Sequence, residues 1–178
     1  MSGEPADAFE WGEQRVALFV DTQNLFYAAR DLSRAAVDYA RLLEVAGRGR
    51  RLAQATAYVV EREGDTANHG FVAKLTALGY RVRRLKVRVR VGEDDRQVLE
   101  GDWDLGIAVD VVRSLGRCDV VALATGDADF TPLVELAQER GARVEVLAFR
   151  DFAGQELKDA CDRFVDLTQV ERIFLPPR

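Results

Sequence analysis

The chain has a single histidine, His69, and only two cysteines, Cys118 and Cys161, among 178 residues. One histidine excludes His-rich metal sites, and no Gly-x-Ser-x-Gly elbow accompanies it. Within Asp65-Thr66-Ala67-Asn68-His69-Gly70 it reads as a surface residue at a helix start. Two cysteines make neither a disulfide framework nor a zinc cluster, and read as small buried thiols. Long apolar runs are missing: none approaches the roughly 18 residues that span a membrane. Met1–Gln14 carries Glu4, Asp7, Glu10 and Glu13 without an apolar core, unlike a signal peptide. The expectation is a cytoplasmic protein with no membrane contact. Excess positive charge is absent too. A net charge of −5 argues against coating nucleic acid through bulk charge, while leaving room for a local basic patch. No Gly-x-x-x-x-Gly-Lys-Ser/Thr loop supports an ATPase.

What is there describes a globular protein: 48% hydrophobic and 31% charged residues, enough for one domain with a sizeable core. We divide it into a leader (1–14), a domain (15–170) and a tail (171–178). Short apolar runs predict strands at about 16–21, 52–60, 84–91, 119–124 and 143–149. Between them, helical spacing links Leu25, Phe26 and Ala29; Tyr39, Leu42, Leu43 and Ala46; and Phe71, Val72, Leu75 and Leu78, the last group closed by Gly79. Further helices are predicted at about 103–115, 130–140 and 154–160, followed by Phe164-Val165. An acidic linker spans Gly92 to Gly101. Strands alternating with helices predict a three-layer α/β/α sandwich around a mainly parallel sheet, with PIN-like or Rossmann-like topology.

The chemistry is concentrated in Thr125-Gly126-Asp127-Ala128-Asp129-Phe130-Thr131-Pro132-Leu133. It follows the apolar run Val120–Ala124 and leads into a helix, so Asp127 and Asp129 stand at the carboxyl end of a buried strand. Open α/β sheets bind ligands at that edge. Val16–Val20 likewise ends in Asp21, with Asn24 three residues on. If these strands are neighbours, Asp21, Asp127 and Asp129 converge, with Asp104 added from the start of the next helix. Clustered carboxylates repel and need protons or cations. Oxygen ligands favour Mg²⁺ or Mn²⁺, which can activate a water and clamp a phosphodiester. Asp129 and Asp102 have a second role open to them, as helix caps. Asp110 lies about 120° around the helix from Asp104 and has Arg113 and Ser114 as alternative partners.

At these residues the chain resembles the NYN domain family, the LabA-like branch of the PIN-like nucleases. Asp21-Thr22-Gln23-Asn24-Leu25 matches its strand ending in Asp-x-x-Asn-Leu. Gly101 to Asp110 matches in part a Lys-Gly-x-Asp segment entering a helix with an internal Asp. Thr125 to Leu133 matches Ser-Gly-Asp-x-Asp-Phe-x-Pro-Leu, with threonine for serine. The resemblance covers about 16–150 and implies metal-dependent RNA cleavage, with Asp21, Asp104 and Asp127 as central acids and Asp129 and Asp110 as further metal-side acids. It also implies that Asn24 orients the water or a phosphate, and that Thr125 contacts substrate or supports the acids. The family lysine is missing from Glu100-Gly101-Asp102-Trp103-Asp104, which favours a non-catalytic regulatory module binding RNA or a protein.

RNA would need cationic and aromatic contacts. Arg84, Lys86, Arg88 and Arg90 fall on one face of the third predicted strand, and Arg48, Arg50 and Arg51 form a second cluster. A solvated edge strand is the competing reading of the first group. Tyr27, Trp103 and Phe130 are candidate stacking platforms, with Trp103 favoured by its position beside Asp104 and Phe130 more at home in the core. The third strand or Ile173-Phe174-Leu175 would serve a homodimer. An aspartyl-phosphate phosphatase is disfavoured because Gln23 stands two residues after Asp21.

Overall fold

The computed structural model describes residues 13–33, 35–62, 68–87, 89–91, 97–99 and 102–175. Six strands build one sheet: β1 (Arg15–Asp21), β2 (Arg51–Arg62), β3 (Arg81–Val87), β6 (Val120–Ala124), β7 (Arg143–Ala148) and β8 (Arg163–Asp166). They are all parallel, in the order β3-β2-β1-β6-β7-β8. Chain direction across the sheet reverses between β1 and β6, so the two strands expected to be neighbours are paired, Val16 opposite Val120 through Val20 opposite Ala124.

Both faces of these strands are covered, which is why they read as unbroken apolar runs. On one face Val16, Leu18 and Val20 pack with α1 (Thr22–Ser33), α2 (Tyr39–Gly47) and α3 (His69–Ala77). On the other, Ala17 and Phe19 pack with α4 (Asp104–Ser114), α5 (Thr131–Glu139) and α6 (Gln155–Ala160). The result is the expected three-layer α/β/α sandwich. Burying a side chain such as Phe19 contributes about 1.5–3 kcal/mol, so a polar substitution there would damage the layer contact directly. Local signals set the helix ends. The Asp38 carboxylate accepts the Ala40 and Arg41 amides at 2.9 and 3.3 Å to cap α2, and Gly79 takes φ +98° after α3.

The third strand differs from expectation. It runs from Arg81 to Val87, and Val87 pairs with Arg62, the last residue of β2. Val89–Val91 (β4) instead forms an antiparallel ribbon with Gln97–Leu99 (β5), inside the stretch expected to be a linker. Phe164-Val165 belongs to a true edge strand, β8. The apolar end Ile173-Phe174-Leu175, expected to be free for a second copy, is used within the chain. Ile173 is buried, Phe174 stacks on Phe149 at 5.5 Å, and the Leu175 N–H donates to the Ala36 carbonyl at 2.8 Å.

Candidate active site

The site grows from the ends of β1 and β6. Asp21, the last residue of β1, is half-buried. One carboxylate oxygen accepts the Asn24 amide at 3.0 Å and the other the Thr125 hydroxyl at 3.4 Å. Burial, and after it the nearby Asp127 charge, push its pKa up despite these bonds. The Asn24 side-chain oxygen accepts the Gly126 N–H at 2.9 Å, strapping the first turn of α1 to the loop after β6. Gly126 has no room for a side chain: an added Cβ would stand 2.6 Å from the Phe152 carbonyl oxygen. The Gly126 carbonyl accepts the Gly154 N–H at 2.9 Å, holding that approach.

After this pinned glycine the chain turns into a short 3₁₀ segment, Ala128–Phe130, which leads straight into α5 with Pro132 in its first turn. The Asp127 carboxylate caps that segment, accepting the Asp129 N–H at 2.9 Å, while the Asp127 N–H donates to the Thr125 hydroxyl at 3.3 Å. Buried Thr125 thus links the backbone of one acid to the carboxylate of another. Across the edge, Asp104 opens α4, and its amide donates to Asp102 at 3.2 Å.

Asp104, Asp127 and Asp129 each offer an oxygen within 4.8 Å of the others. Asp104 is pushed up to about 6, first by burial and then by Asp102, Asp127, Asp21 and Asp129. Four acids around one carboxyl and a desolvated environment leave negative charge uncompensated. A donor set of clustered carboxylate oxygens fits a hard divalent cation, Mg²⁺ or Mn²⁺.

Other residues singled out in the sequence lie elsewhere. Asp110 is not brought into the trio: it accepts from Arg83 at 2.8 and 2.9 Å and from the Tyr58 hydroxyl at 2.8 Å. Trp103, the residue before α4, is half-buried. Its indole N–H donates to the Val59 carbonyl at 3.1 Å, and its ring meets Tyr58 at 5.3 Å and Arg83 at 5.4 Å. Gly106 makes that packing feasible, since a Cβ there would lie 2.5 Å from the indole. Phe130 is buried in the core.

Of the cationic strand, Arg84 is paired with buried Glu61 through two 3.0 Å contacts, and Lys86 is exposed. Arg88 lies outside the described residues. The second basic cluster is not at the site. Arg50 forms a buried pair with Glu145 at 2.8 and 3.0 Å, and Arg51 starts β2, at the opposite edge of the sheet. Sequence reading missed two things here: the reach of Asn24 to Gly126, and the ability of the edge-strand Arg83 to claim Asp110.

The fold and site define a nuclease-type α/β domain that collects acids where its parallel sheet reverses direction. A family model for the NYN domain matches residues 15–168, and the chain belongs to that family. It is 27% identical over 159 residues to Low amplitude and bright protein LabA of Synechococcus elongatus, covering 88% of this chain and 85% of that one. A crystal structure of a protein of unknown function from Vibrio parahaemolyticus RIMD 2210633 superposes with a TM-score of 0.78 at 29% identity. That match covers 97% of this chain and all of the other. Among the described residues, no helix is long and apolar enough to cross a membrane.

Proposed function

We propose that this protein is a metal-dependent ribonuclease that hydrolyses phosphodiester bonds of unpaired RNA. The observation that carries the reading is the group Asp104, Asp127 and Asp129, with oxygens within 4.8 Å of one another at the edge where the sheet reverses direction. These three would hold Mg²⁺ or Mn²⁺. Asp21, Asp104 and Asp127 form the catalytic set, with Asp21 contributing charge beside Asp127. A bound cation supplies Lewis-acid stabilisation of charge developing on a phosphodiester. Asn24 and Thr125 fix the separation of the two strand ends. Exposed Lys86 of β3, with Arg88, is assigned to RNA.

The test is cleavage of end-labelled single-stranded RNA by purified protein with Mg²⁺, Mn²⁺ or EDTA, beside folded Asp127→Asn. Metal-dependent cutting that disappears in the variant supports the assignment. No cutting across varied RNAs by folded wild-type protein would replace it with a binding or regulatory role. Equal cutting by the variant would sink the assigned site.

A further inference from the structure

A cleft of about 390 Å³ lies between α1, residues 35–39, the carboxyl end of β2 and α3. Gln23, Phe26, Tyr27, Tyr39, Asn68 and Lys74 contribute to its walls. It starts immediately beyond Asp21, because Thr22 and Gln23 belong to the same wall. Tyr39 is close enough to Asp21 for that charge to raise its hydroxyl pKa, after the larger effect of burial. The cleft therefore adjoins the end of β1 that carries Asp21.

The walls suit a flat aromatic ligand with a polar edge. Phe26 and Tyr27 are 57% and 41% exposed, large rings left in solvent on a helix whose Leu25, Ala28 and Ala29 are buried in the core. Their rings meet edge to face at 5.5 Å, and the Arg30 guanidinium lies 5.0 Å from the Tyr27 centroid. Among the described residues the Gln23 side-chain amide makes no hydrogen bond and the Lys74 ammonium no ion pair. Asn68 donates its side-chain amide N–H to the Val60 carbonyl at 3.3 Å, and among the described residues its oxygen is left to accept. Aromatic faces, two amides and the Lys74 cation match the three chemical parts of a nucleotide: base face, base edge and phosphate. The volume falls in the range of small-ligand pockets. Trp103, by contrast, already spends its indole N–H and its ring within the chain.

We propose that this cleft is the subsite for one unpaired nucleobase of the RNA strand, stacked on Tyr27 with its edge read by Gln23 and Asn68. The flanking phosphate lies toward Lys74. A paired base has its faces covered by its neighbours, so the subsite selects single strands or loops. The choice of RNA as ligand rests on the ribonuclease reading; the presence of a base-binding cleft does not.

The experiment titrates the protein, in EDTA, into short single-stranded RNAs that carry 2-aminopurine at successive positions, whose fluorescence falls on stacking. The same RNAs are then incubated with Mn²⁺. Quenching at one position is expected, weakened about tenfold in Tyr27→Ala and kept in Tyr27→Trp. Gln23→Ala, a second probe of the same wall, should keep the quenching and relax preference among bases. Absence of quenching at every position, or quenching indifferent to Tyr27→Ala, overturns the subsite. Cutting in Mn²⁺ without quenching rejects the subsite and leaves the ribonuclease reading. Tyr27-dependent quenching without cutting does the reverse.

Discussion

The side-chain oxygen of Asn24 accepts the backbone N–H of Gly126 at 2.9 Å, across 102 positions of sequence. This bond joins the helix after β1 to the loop after β6, and so helps set the separation of Asp21 from Asp127. Asn24→Ala should leave a partly buried N–H without its partner and cost about 1–3 kcal/mol. Urea denaturation checks that loss. Divalent-cation affinity, followed by calorimetry, should fall as well, because the two strand ends are no longer pinned. A stability loss with unchanged metal affinity would separate the strap from the site.

Gly126→Ala tests the same loop from the other side. Its Cβ would stand 2.6 Å from the Phe152 carbonyl oxygen, and that contact is backbone, which cannot swing away as a side chain can. We expect destabilisation of about 1–3 kcal/mol from overpacking and displacement of the 3₁₀ segment that carries Asp127 and Asp129. Comparing Gly126→Ala with wild type in metal-titrated thermal melts reads both effects. A variant as stable and as responsive to Mn²⁺ as wild type would refute this account of the glycine.

The meeting of Asp21 with Asp127 was legible in the sequence because each ends an unbroken apolar run, and buried parallel strands place such ends on one edge. The helix face of Asp110 was legible too, but spacing along a helix cannot show what approaches from outside. Arg83 comes from the edge strand β3, Arg81–Val87, which pairs with β2. The alternation through Val91 carries no sign that Val89–Val91 pairs with Gln97–Leu99, since a ribbon strand alternates just as a sheet strand does. Asn24 stood out through its place in the motif. Its partner did not, because a bond between distant loops depends on how tightly Gly126 is drawn against Phe152. The basic turn at Arg50 looked like a phosphate site because its counter-charge, Glu145, sits 95 residues away inside a strand.

That pair gives a control far from the acids. Arg50 and Glu145 are 6% and 2% exposed, so truncating one side leaves an ion without its main partner in the interior. Arg50→Ala should cost about 3 kcal/mol, eased by Arg143, which lies 3.3 Å from the same carboxylate. Chemical denaturation gives the magnitude. Metal affinity of the folded variant should match wild type, and a matching loss of both would mean that the two sheet edges are coupled.

Asp104 makes stability depend on pH in a direction that reports the site. Its carboxyl is pushed up to about 6 in the folded metal-free protein, against 3.8 for an unperturbed group, mainly by burial and then by four neighbouring acids. Between those values the folded state holds more protons than the unfolded one, so stability falls as pH rises. The contribution is fully present below about pH 4 and lost as pH passes 6. In EDTA, Asp104→Asn should therefore melt close to wild type at pH 4 and above it at pH 7, because the amide carries no charge to repel its neighbours. Mn²⁺ should raise the melting temperature of wild type at pH 7, do so less as pH drops below 6, and have little effect on the variant. Protons and the cation compete for the same oxygens, so these two pH dependences must run in opposite directions. A wild-type melting curve that responds to Mn²⁺ equally at pH 5 and pH 7 would remove Asp104 from the cation site.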